Sequence, residues 1–380
     1  MKILAAGLSV RAMVESAVHS GYPVIALDAF GDSDVRALAE TKSLHSDSHV
    51  RYSAKALFEA AAELDFDSIA YTSDLENHPE VLDQFGINHR IVGNLPKTIR
   101  SVRHWPALFS GLRQAGYHVP ETIFPGTGSL PDPDRQWLVK PLLSGGGHGV
   151  SFWRGKMPAD KPSMIQQYLP GKPCSASFVA NGSECVVLGI TGQLIGLNQV
   201  GAAGFRYCGN ILPLPETLDA GKRDAILEQV RGVASFLTGE YRLTGVNGFD
   251  FILDKDQVWL TEVNPRYSAS MELIEHAYRL SIFHLHVQAC IDGGLPEFDL
   301  ESNIHSGAFF GKCILFSQKD STAPDTRDWL SWELRDIPAT GADLPRGGPV
   351  CTMLAGGNSY DETLAGLIRK AGVLKELIYG

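Results

Sequence analysis

The sequence predicts a multidomain protein of the α/β and α+β classes, with a Rossmann-like α/β domain at its N-terminus. Its 380 residues exceed what one ordinary hydrophobic core accommodates, so two or three domains are expected. The first quarter alternates short apolar runs with helical patterns, which is typical of a parallel sheet. The rest alternates strand-like runs with glycine-rich turns and isolated helical patterns.

The net charge, the cysteine spacing and the short N-terminal apolar run argue against several classes of function. The net charge of −10 and pI of about 5.6 argue against binding to nucleic acid or to anionic membranes. Six scattered cysteines show neither a CxxC pair nor zinc-ligand spacing, which favours reduced thiols in a cytoplasmic protein. The N-terminal apolar run is too short to span a membrane, so it is expected to be a first strand.

Residues 1–96 are expected to form the N-terminal domain. Apolar strands at 2–6 and 24–28 flank a helical pattern, and a strand at 67–71 with helices near 54–64 and 78–85 continues the alternation. Gly7 is the only glycine in the first turn, so the dinucleotide-binding fingerprint is absent. Asp28, at the end of the second strand, is therefore expected to cap a helix or lie at the surface.

The remaining chain is divided at residue 300, into a domain over 97–300 and a C-terminal α+β extension over 301–380. The predicted elements in these parts are one helix over 98–116, strands with glycine loops over 137–180, an amphipathic helix at 220–239, strands at 246–253 and 257–263, a helix over 271–292, strands at 307–316, 331–336 and 349–354, and a last helix at 360–378.

A lysine beside a glycine-rich loop is the first stretch with chemical meaning. Lys140 ends an apolar strand, and residues 144–149 contain four glycines. Glycines let backbone N–H groups converge on an anion, and the lysine supplies a positive charge for phosphate. The alternative is a flexible hairpin tip.

Residues 164–171 are the second stretch, where an apolar segment ends in Gln166, Gln167, Tyr168 and Leu169 before a Pro-Gly pair. Such a hinge has amide and backbone groups that could bind the edge of an adenine ring. The alternative is an ordinary strand followed by a turn.

Two carboxylates on a predicted hairpin form the third stretch. Asp250 lies inside an apolar strand, where a charge is costly unless it is paired or bound to a metal. Glu262 ends the next strand, and Asn264 follows it; all three side chains offer the hard oxygen ligands that Mg²⁺ takes. Arg266 can extend the same way toward a phosphoryl group. The alternative pairs Asp250 with an arginine and leaves Glu262 in solvent.

The order of these stretches resembles the ATP-grasp superfamily of carboxylate–amine ligases. The glycine loop and the ending Glu-x-Asn-Pro-Arg at 262–266 are also similar to biotin carboxylase. The resemblance covers about residues 1–290. It implies an ATP-grasp fold with a pre-ATP-grasp domain at 1–96, a lid at about 137–180, and ATP with Mg²⁺ (or Mn²⁺) as cofactors.

The resemblance also implies roles for individual residues. Catalysis is assigned to Arg266, Lys140 and Arg206, the last at the acyl-phosphate region. The metal ligands are Asp250, Glu262 and Asn264. The nucleotide contacts are Lys140, Ser144, Gly145, Gly146, Gly147, His148, Gln166, Gln167, Tyr168, Leu169 and Arg103, with Lys97 and Arg100 as rivals to Arg103.

The implied reaction transfers phosphate from ATP to a small-molecule carboxylate, and an amine then attacks the acyl phosphate. Substrate contacts are expected from Ser9, Arg11 and Glu76, which follow strands of the first domain. The alternatives are helix capping for Ser9 and a solvated helix face for Arg11.

Two other functions stay open. Biotin carboxylases carry a glutamate eight residues after the metal glutamate, and this chain has Ser270 there, so carboxylation is disfavoured. A non-catalytic ATP-binding protein is the other alternative, and the complete set from Lys140 to Arg266 argues against it.

Three segments resemble a group related to archaeal tyramine–glutamate ligases: residues 8–17, 71–82 and the tail around 336–338 and 348–351. This resemblance implies a glutamate ligase in the biosynthesis of a methanopterin- or methanofuran-type one-carbon cofactor. The tail could cover the active site or support a homodimer.

Overall fold

The structure is a computed structural model, and it describes residues 1–156, 158, 161–304 and 308–380. The N-terminal part is a parallel five-stranded sheet with helices on its faces, as the sequence predicts. Its strands are β1 (Ile3–Ala6), β2 (Val24–Asp28), β3 (Glu40–Ser43), β4 (Ser68–Tyr71) and β5 (Arg90–Ile91), in the order β3-β2-β1-β4-β5. Its helices are α1 (Arg11–His19), α2 (Ser33–Leu38), α3 (Ala54–Ala61) and α4 (Pro79–Phe85).

Strand β3 and helix α2 were not predicted. The strand lies at the sheet edge and begins with the polar residues Glu40, Thr41 and Lys42, so it lacks the apolar run of a buried strand. Asp28 also differs from expectation, because it is fully buried and accepts backbone N–H groups from Val10, Phe30 and Gly31.

The single helix expected over 98–116 is wrong, because two helices occupy this segment. They are α5 (Pro96–Val102) and α6 (Trp105–Gln114). Pro106 lies in the first turn of α6; within a continuous helix its ring would clash with the carbonyl of Val102. The break places Arg103 at the end of α5.

A small antiparallel sheet forms the predicted lid region. Its strands are β6 (Thr122–Ile123), β7 (Trp137–Pro141), β8 (Ser151–Phe152) and β9 (Ser163–Gln167), in the order β6-β9-β7-β8. Leu138 is opposite Gln166, so Lys140, two residues further on, extends from the same face as Gln166. Residues 157, 159 and 160 of the predicted lid lie outside the described residues.

The central element is an antiparallel sheet of eight strands. They are β10 (Lys172–Asn181), β11 (Cys185–Ile195), β12 (Tyr207–Leu212), β13 (Thr244–Asp254), β14 (Gln257–Asn264), β15 (Phe309–Phe316), β17 (Leu334–Arg335) and β19 (Pro349–Gly357), in the order β14-β13-β10-β11-β12-β15-β19-β17. The tail belongs to this sheet, because β15 pairs with β12. The strand expected over 307–316 begins at a residue outside the described ones. Strands β16 (Ser321–Thr322) and β18 (Asp343–Leu344) form a separate pair.

Helices cover the large sheet. They are α7 (Ala220–Tyr241), α8 (Met271–Tyr278), α9 (Ile282–Ile291), α10 (Leu300–Asn303) and α11 (Tyr360–Tyr379). The predicted core face of α7, which carries Ile226, Val230, Val233 and Leu237, is buried. The single helix expected over 271–292 is wrong; Arg279 has a φ of 53° and ends α8 in the left-handed conformation. No helix in the described part of the chain has the length and apolar character to cross a membrane.

Candidate active site

The candidate site is a cavity of about 1170 Å³ where the four regions of the chain meet. Ser73 from the N-terminal sheet edge, Lys140 from the lid sheet, Asp250 from the central sheet and Lys312 from the tail all line it. Pockets that hold one drug-sized ligand span roughly 300–1,000 Å³. This cavity therefore has room for a nucleotide and a second molecule.

Asp250 and Glu262 are directly opposite each other on β13 and β14. Burial raises the pKa of Asp250 to about 7, the Glu262 charge adds to this, and Arg266 opposes it. Gln193 donates to one oxygen of Asp250 from 3.0 Å. A buried carboxylate that retains its proton near neutral pH has too little positive charge around it, and a divalent cation bound beside it would supply that charge. The pair therefore fits Mg²⁺.

Arg103 lies beside Glu262. Its Nη1 donates to Glu262 Oε1 from 3.1 Å and its Nη2 donates to Asn77 Oδ1 from 2.5 Å. The guanidinium also sits 4.6 Å from the ring centre of Trp105. The expected phosphate contact is not what this packing shows, because Arg103 is engaged by the predicted metal ligand itself. The break between α5 and α6 turns its side chain toward Glu262.

The rivals to Arg103 point elsewhere. Arg100 is exposed and pairs with Asp83, and Lys97 is exposed on the same helix. Neither Lys97 nor Arg100 is among the residues that line the cavity, and nor is Arg103.

Arg266 is held between the predicted metal site and the N-terminal domain. Its Nε donates to Glu76 Oε1 from 2.7 Å, and its Nη2 donates to Asn264 Oδ1 from 3.2 Å. Glu76 is only 4% exposed, and its second oxygen has no hydrogen-bond partner among the described residues. Glu76, expected as a substrate contact, therefore positions Arg266 in this structure.

Lys140 and Gln166 form a pair on the face of the lid sheet that lines the cavity. Lys140 Nζ donates to Gln166 Oε1 from 2.8 Å, and Gln166 Nε2 donates to Thr122 Oγ1 from 3.3 Å. Burial lowers the pKa of Lys140, whereas Glu262 and Asp250 raise it. Lys140 is thus near both carboxylates, as a phosphate-binding lysine requires. The amide of Gln166 is already engaged, which differs from the expected adenine contact.

The glycine loop rests on the segment 205–207. Tyr207 donates its backbone N–H to Gly146 O from 3.0 Å. A Cβ at Gly147, whose φ is 74°, would lie 1.9 Å from Phe205 O. Ser144, Gly145 and His148 also line the cavity. The close approach requires a glycine, and the backbone it brings to the cavity is the kind of cradle that binds phosphate.

The hinge residues lie where the lid sheet meets the cavity. Gln167 donates its backbone N–H to Glu121 O from 2.8 Å, and Tyr168 donates its own to Gln136 O from 2.9 Å. The Tyr168 ring packs 5.3 Å from that of Phe152. Leu169 also lines the cavity.

Arg206 has no carboxylate partner among the described residues. Its guanidinium lies 3.7 Å from the ring centre of Phe316, its buried Nε has no hydrogen-bond partner in the same part of the chain, and burial lowers its pKa. Among the described residues, no carboxylate lies within 4.0 Å of it. It lines the cavity and is available for an anionic group, as its assignment to the acyl phosphate requires.

The two substrate candidates near the first turn differ in exposure. Ser9 is exposed and lines the cavity. Arg11 is 1% exposed, and its guanidinium donates to Glu15, Glu272 and Asp336. The solvated helix face that was the alternative for Arg11 is wrong. Its nitrogens are already bound by carboxylates, so Arg11 organises the cavity wall.

The sequence interpretation missed several cavity residues. Lys312 is 4% exposed on β15 and donates to Glu272 and to Ala269 O. A lysine inside the apolar run of β15 is as unusual as Asp250 inside β13, and that signal could have identified it. Asp32 and Asp336 carried no comparable signal, because both follow from tertiary packing.

Comparisons with known proteins agree with this geometry. Residues 107–270 match the sequence profile of the ATP-grasp domain. An uncharacterized protein of Methanocaldococcus jannaschii is 23% identical over 378 residues, which cover 93% of this chain and 88% of that protein.

Solved structures give the same fold. The crystal structure of an L-amino acid ligase from Bacillus licheniformis has a TM-score of 0.69 and 18% identity, and 98% of each chain is covered. A biotin carboxylase from Campylobacter jejuni, solved in complex with β,γ-ATP, has a TM-score of 0.71 and 15% identity, with 99% of this chain and 91% of the carboxylase covered.

Residues 107–270 therefore match an ATP-grasp domain, and nearly the whole chain shares its fold with these two solved structures.

Proposed function

We propose that this chain is an ATP- and Mg²⁺-dependent ligase that joins a small-molecule carboxylate to an amine through an acyl phosphate. The observation that carries the proposal is the facing pair Asp250 and Glu262, with Lys140 and Arg266 close enough to influence the pKa of Asp250. Carboxylates for a metal and cations for phosphate are thereby gathered in one cavity.

In this proposal Asp250, Glu262 and Asn264 hold Mg²⁺, which supplies charge neutralisation for the phosphates of ATP. Lys140 and the backbone of the glycine loop orient those phosphates. Glu76 and Asn264 hold the side chain of Arg266, which is proposed to bind the transferred phosphoryl group. Catalysis then comes mainly from positioning and preorganised charge.

The reaction balances without a nucleophilic side chain. A carboxylate oxygen of the substrate attacks the γ-phosphorus of ATP, and ADP leaves. The amine, as its neutral free base, attacks the carbonyl carbon of the acyl phosphate; the bond from that carbon to the phosphate oxygen breaks, and the phosphate leaves with the amine's proton as the amide forms. Arg206, which lines the cavity and has no carboxylate partner among the described residues, is proposed to bind the anionic group during these steps.

The surroundings of Ser270 argue against the carboxylase alternative. Ser270 is 3% exposed, and its hydroxyl lies 3.0 Å from that of Ser177 and 3.2 Å from that of Ser268. The nearby Glu272 is bound by Arg11 and Lys312, which lower its pKa below the usual range. Neither side chain is a free base for activating bicarbonate.

A narrower proposal makes glutamate one of the two substrates, in the synthesis of a methanopterin- or methanofuran-type cofactor. It is supported by the three segments that resemble tyramine–glutamate ligases. Each of the three segments contributes a residue to the lining of the same cavity: Arg11, Glu76 and Asp336.

A homodimer is also part of the proposal. The tail exposes Leu330 and Trp332, and Lys370 on α11 donates to Trp332 O. Val373 and Leu377, which are exposed, extend the helix face of Lys370. Light scattering of the purified chain would test this arrangement.

The test of function is ADP release with ATP, Mg²⁺ and defined pools of amino acids and primary amines. Release that requires both a carboxylate and an amine is expected, with L-glutamate tested alone as the acid. With hydroxylamine as the amine, a hydroxamate should form, because it traps an acyl phosphate. ADP release driven by bicarbonate and biotin would favour the carboxylase, and bound ATP without any release would favour a binding protein.

A further inference from the structure

A second charged region of the cavity lies in the N-terminal domain and involves none of the predicted metal ligands. We call it the aspartate cluster. Asp28 ends β2, Asp32 and Asp34 lie at the start of α2, and Asp336 follows β17. Asp32 and Asp336 line the cavity.

Three of these carboxylates have donors. Asp28 accepts backbone N–H groups from Gly31 at 2.8 Å, Phe30 at 3.0 Å and Val10 at 3.3 Å. Asp34 accepts from the backbone of Asp336 at 2.9 Å and of Ile337 at 3.0 Å. Both oxygens of Asp336 accept from Arg11 at 3.1 Å. Each of these three carboxylates therefore has hydrogen-bond donors within the fold.

Asp32 differs from its neighbours. It is 9% exposed, and its carboxylate has no hydrogen-bond donor or ion-pair partner among the residues the structure describes. It precedes α2 without capping it. Burial raises its pKa well above the usual value, repulsion from Asp336, Asp28 and Asp34 adds to this, and the charge of Arg11 opposes it without cancelling it. Burying an ionised carboxylate without hydrogen-bond donors costs free energy. A cation that binds here would offset this cost through its attraction to Asp32.

We infer that Asp32 is the binding site for the ammonium group of a primary-amine substrate, in the part of the cavity that Phe30 and Tyr52 also line. This rests on the proposed function, because it locates the amine that the ligase would consume. Aromatic walls favour an organic cation. A metal ion is disfavoured, because Asp28, Asp34 and Asp336 already accept hydrogen bonds within the fold and leave Asp32 as a single carboxylate ligand.

The test measures binding to the full chain by calorimetry, without ATP. Two pairs of probes are used: benzylamine against benzyl alcohol, and 1,4-diaminobutane against 1,4-butanediol. Each pair differs mainly in the cationic nitrogen. At least one amine should bind the wild type tenfold or more tightly than its alcohol, and Asp32→Asn should remove that preference. Asp134→Asn, an exposed aspartate in a loop, is the matched control and should retain it.

Each other outcome overturns the inference. Equal affinity for amine and alcohol in the wild type removes the ammonium site, and a preference that survives Asp32→Asn places it elsewhere. Binding of Mg²⁺ alone that depends on Asp32 would make this a metal site. Because no turnover is needed, a failure here is distinguishable from a failure of the proposed function, which is measured by ADP release.

Discussion

Asp250 and Glu262 face each other across adjacent antiparallel strands, and their repulsion adds to the burial that raises the pKa of Asp250 to about 7. Arg103 donates to Glu262 from one side, and the amide of Gln193 donates to Asp250. The charges of Arg266 and Lys140 oppose the rise in the pKa of Asp250 without cancelling it, so the pair can still accept a cation.

The first prediction concerns Glu262→Gln. Loss of one carboxylate charge should weaken binding of Mn²⁺ by at least about 10–100-fold and abolish ADP release, because the metal would lose a ligand. The fold should persist, since Gln is isosteric. Mn²⁺ titration, ADP release and thermal melting measure the three effects.

Glu240→Gln is the control for this variant, because Glu240 is exposed on α7. It should leave metal binding and turnover unchanged. Full activity in Glu262→Gln would remove Glu262 from the metal site.

The second prediction concerns Gly147→Ala. A Cβ here would lie 1.9 Å from Phe205 O, and the φ of 74° strains any residue with a Cβ. The loop should no longer rest on 205–207, and affinity for ATP should fall about tenfold. Calorimetric titration with a non-hydrolysable ATP analogue measures this.

Gly145→Ala is the matched control, because a Cβ at Gly145 meets no atom within 4 Å. It should change ATP affinity by much less. Equal losses in the two variants would show that the approach to Phe205 does not matter for nucleotide binding.

The third prediction is an acid-dependent loss of stability through His286. Its Nδ1 accepts the backbone N–H of Val246 and its Nε2 bonds to Val92 O, both at 2.9 Å, which requires the neutral ring. Burial lowers its pKa to about 4. In the unfolded chain a histidine has a pKa of about 6.5, so as pH falls the unfolded state binds a proton before the folded state does. The free energy of unfolding therefore decreases by on the order of 3 kcal/mol as pH drops from about 6.5 to 4.

His286→Gln supplies an acceptor and a donor without titrating, so its stability should depend less on pH over this range. His284→Gln is the control, because His284 is exposed and bonds to Tyr22. Denaturant unfolding at several pH values makes the comparison. Identical pH dependence in wild type and His286→Gln would contradict the prediction.

The fourth prediction is that Asp32→Asn stabilises the protein without ligands at neutral pH. It removes a buried charge that has no donor among the described residues and that three other aspartates repel. Because the pKa of Asp32 is raised in the folded protein, the stability of the wild type falls as pH rises from the unfolded-state pKa of about 3.9 toward the raised folded-state pKa. The Tm should rise by about 2–4 °C above pH 7, and the gain should shrink in acid. A lower Tm would show that Asp32 supports the fold.

Local patterns were enough for much of the fold. Buried strands with continuous apolar runs and the amphipathic stripe of α7 carry their periodicity in neighbouring residues, so the parallel sheet and this helix were predicted. The two segments that were each expected to form one continuous helix contain a break. Pro106 signals the break before α6, whereas the left-handed turn at Arg279 has no such marker.

Long-range packing decided the roles around the cavity. Arg103 is 159 positions from Glu262, and Arg11 is 325 positions from Asp336, so no spacing rule connects them. Both arginines were expected to bind ligands, and in the structure both bind carboxylates of the protein. The predicted ligand roles of the site residues, these two arginines included, stay predictions.

By itself, the sequence predicted an ATP and Mg²⁺ site from a carboxylate inside an apolar strand, a lysine beside four glycines and the run Glu262–Arg266. The first of these is informative because a buried charge is too costly to retain without a partner. Only the tertiary structure decided which partner each charge has. It gave donors to Asp28, Asp34 and Asp336 and placed Asp32 on the cavity wall, since hydrogen bonds depend on which groups the fold brings together.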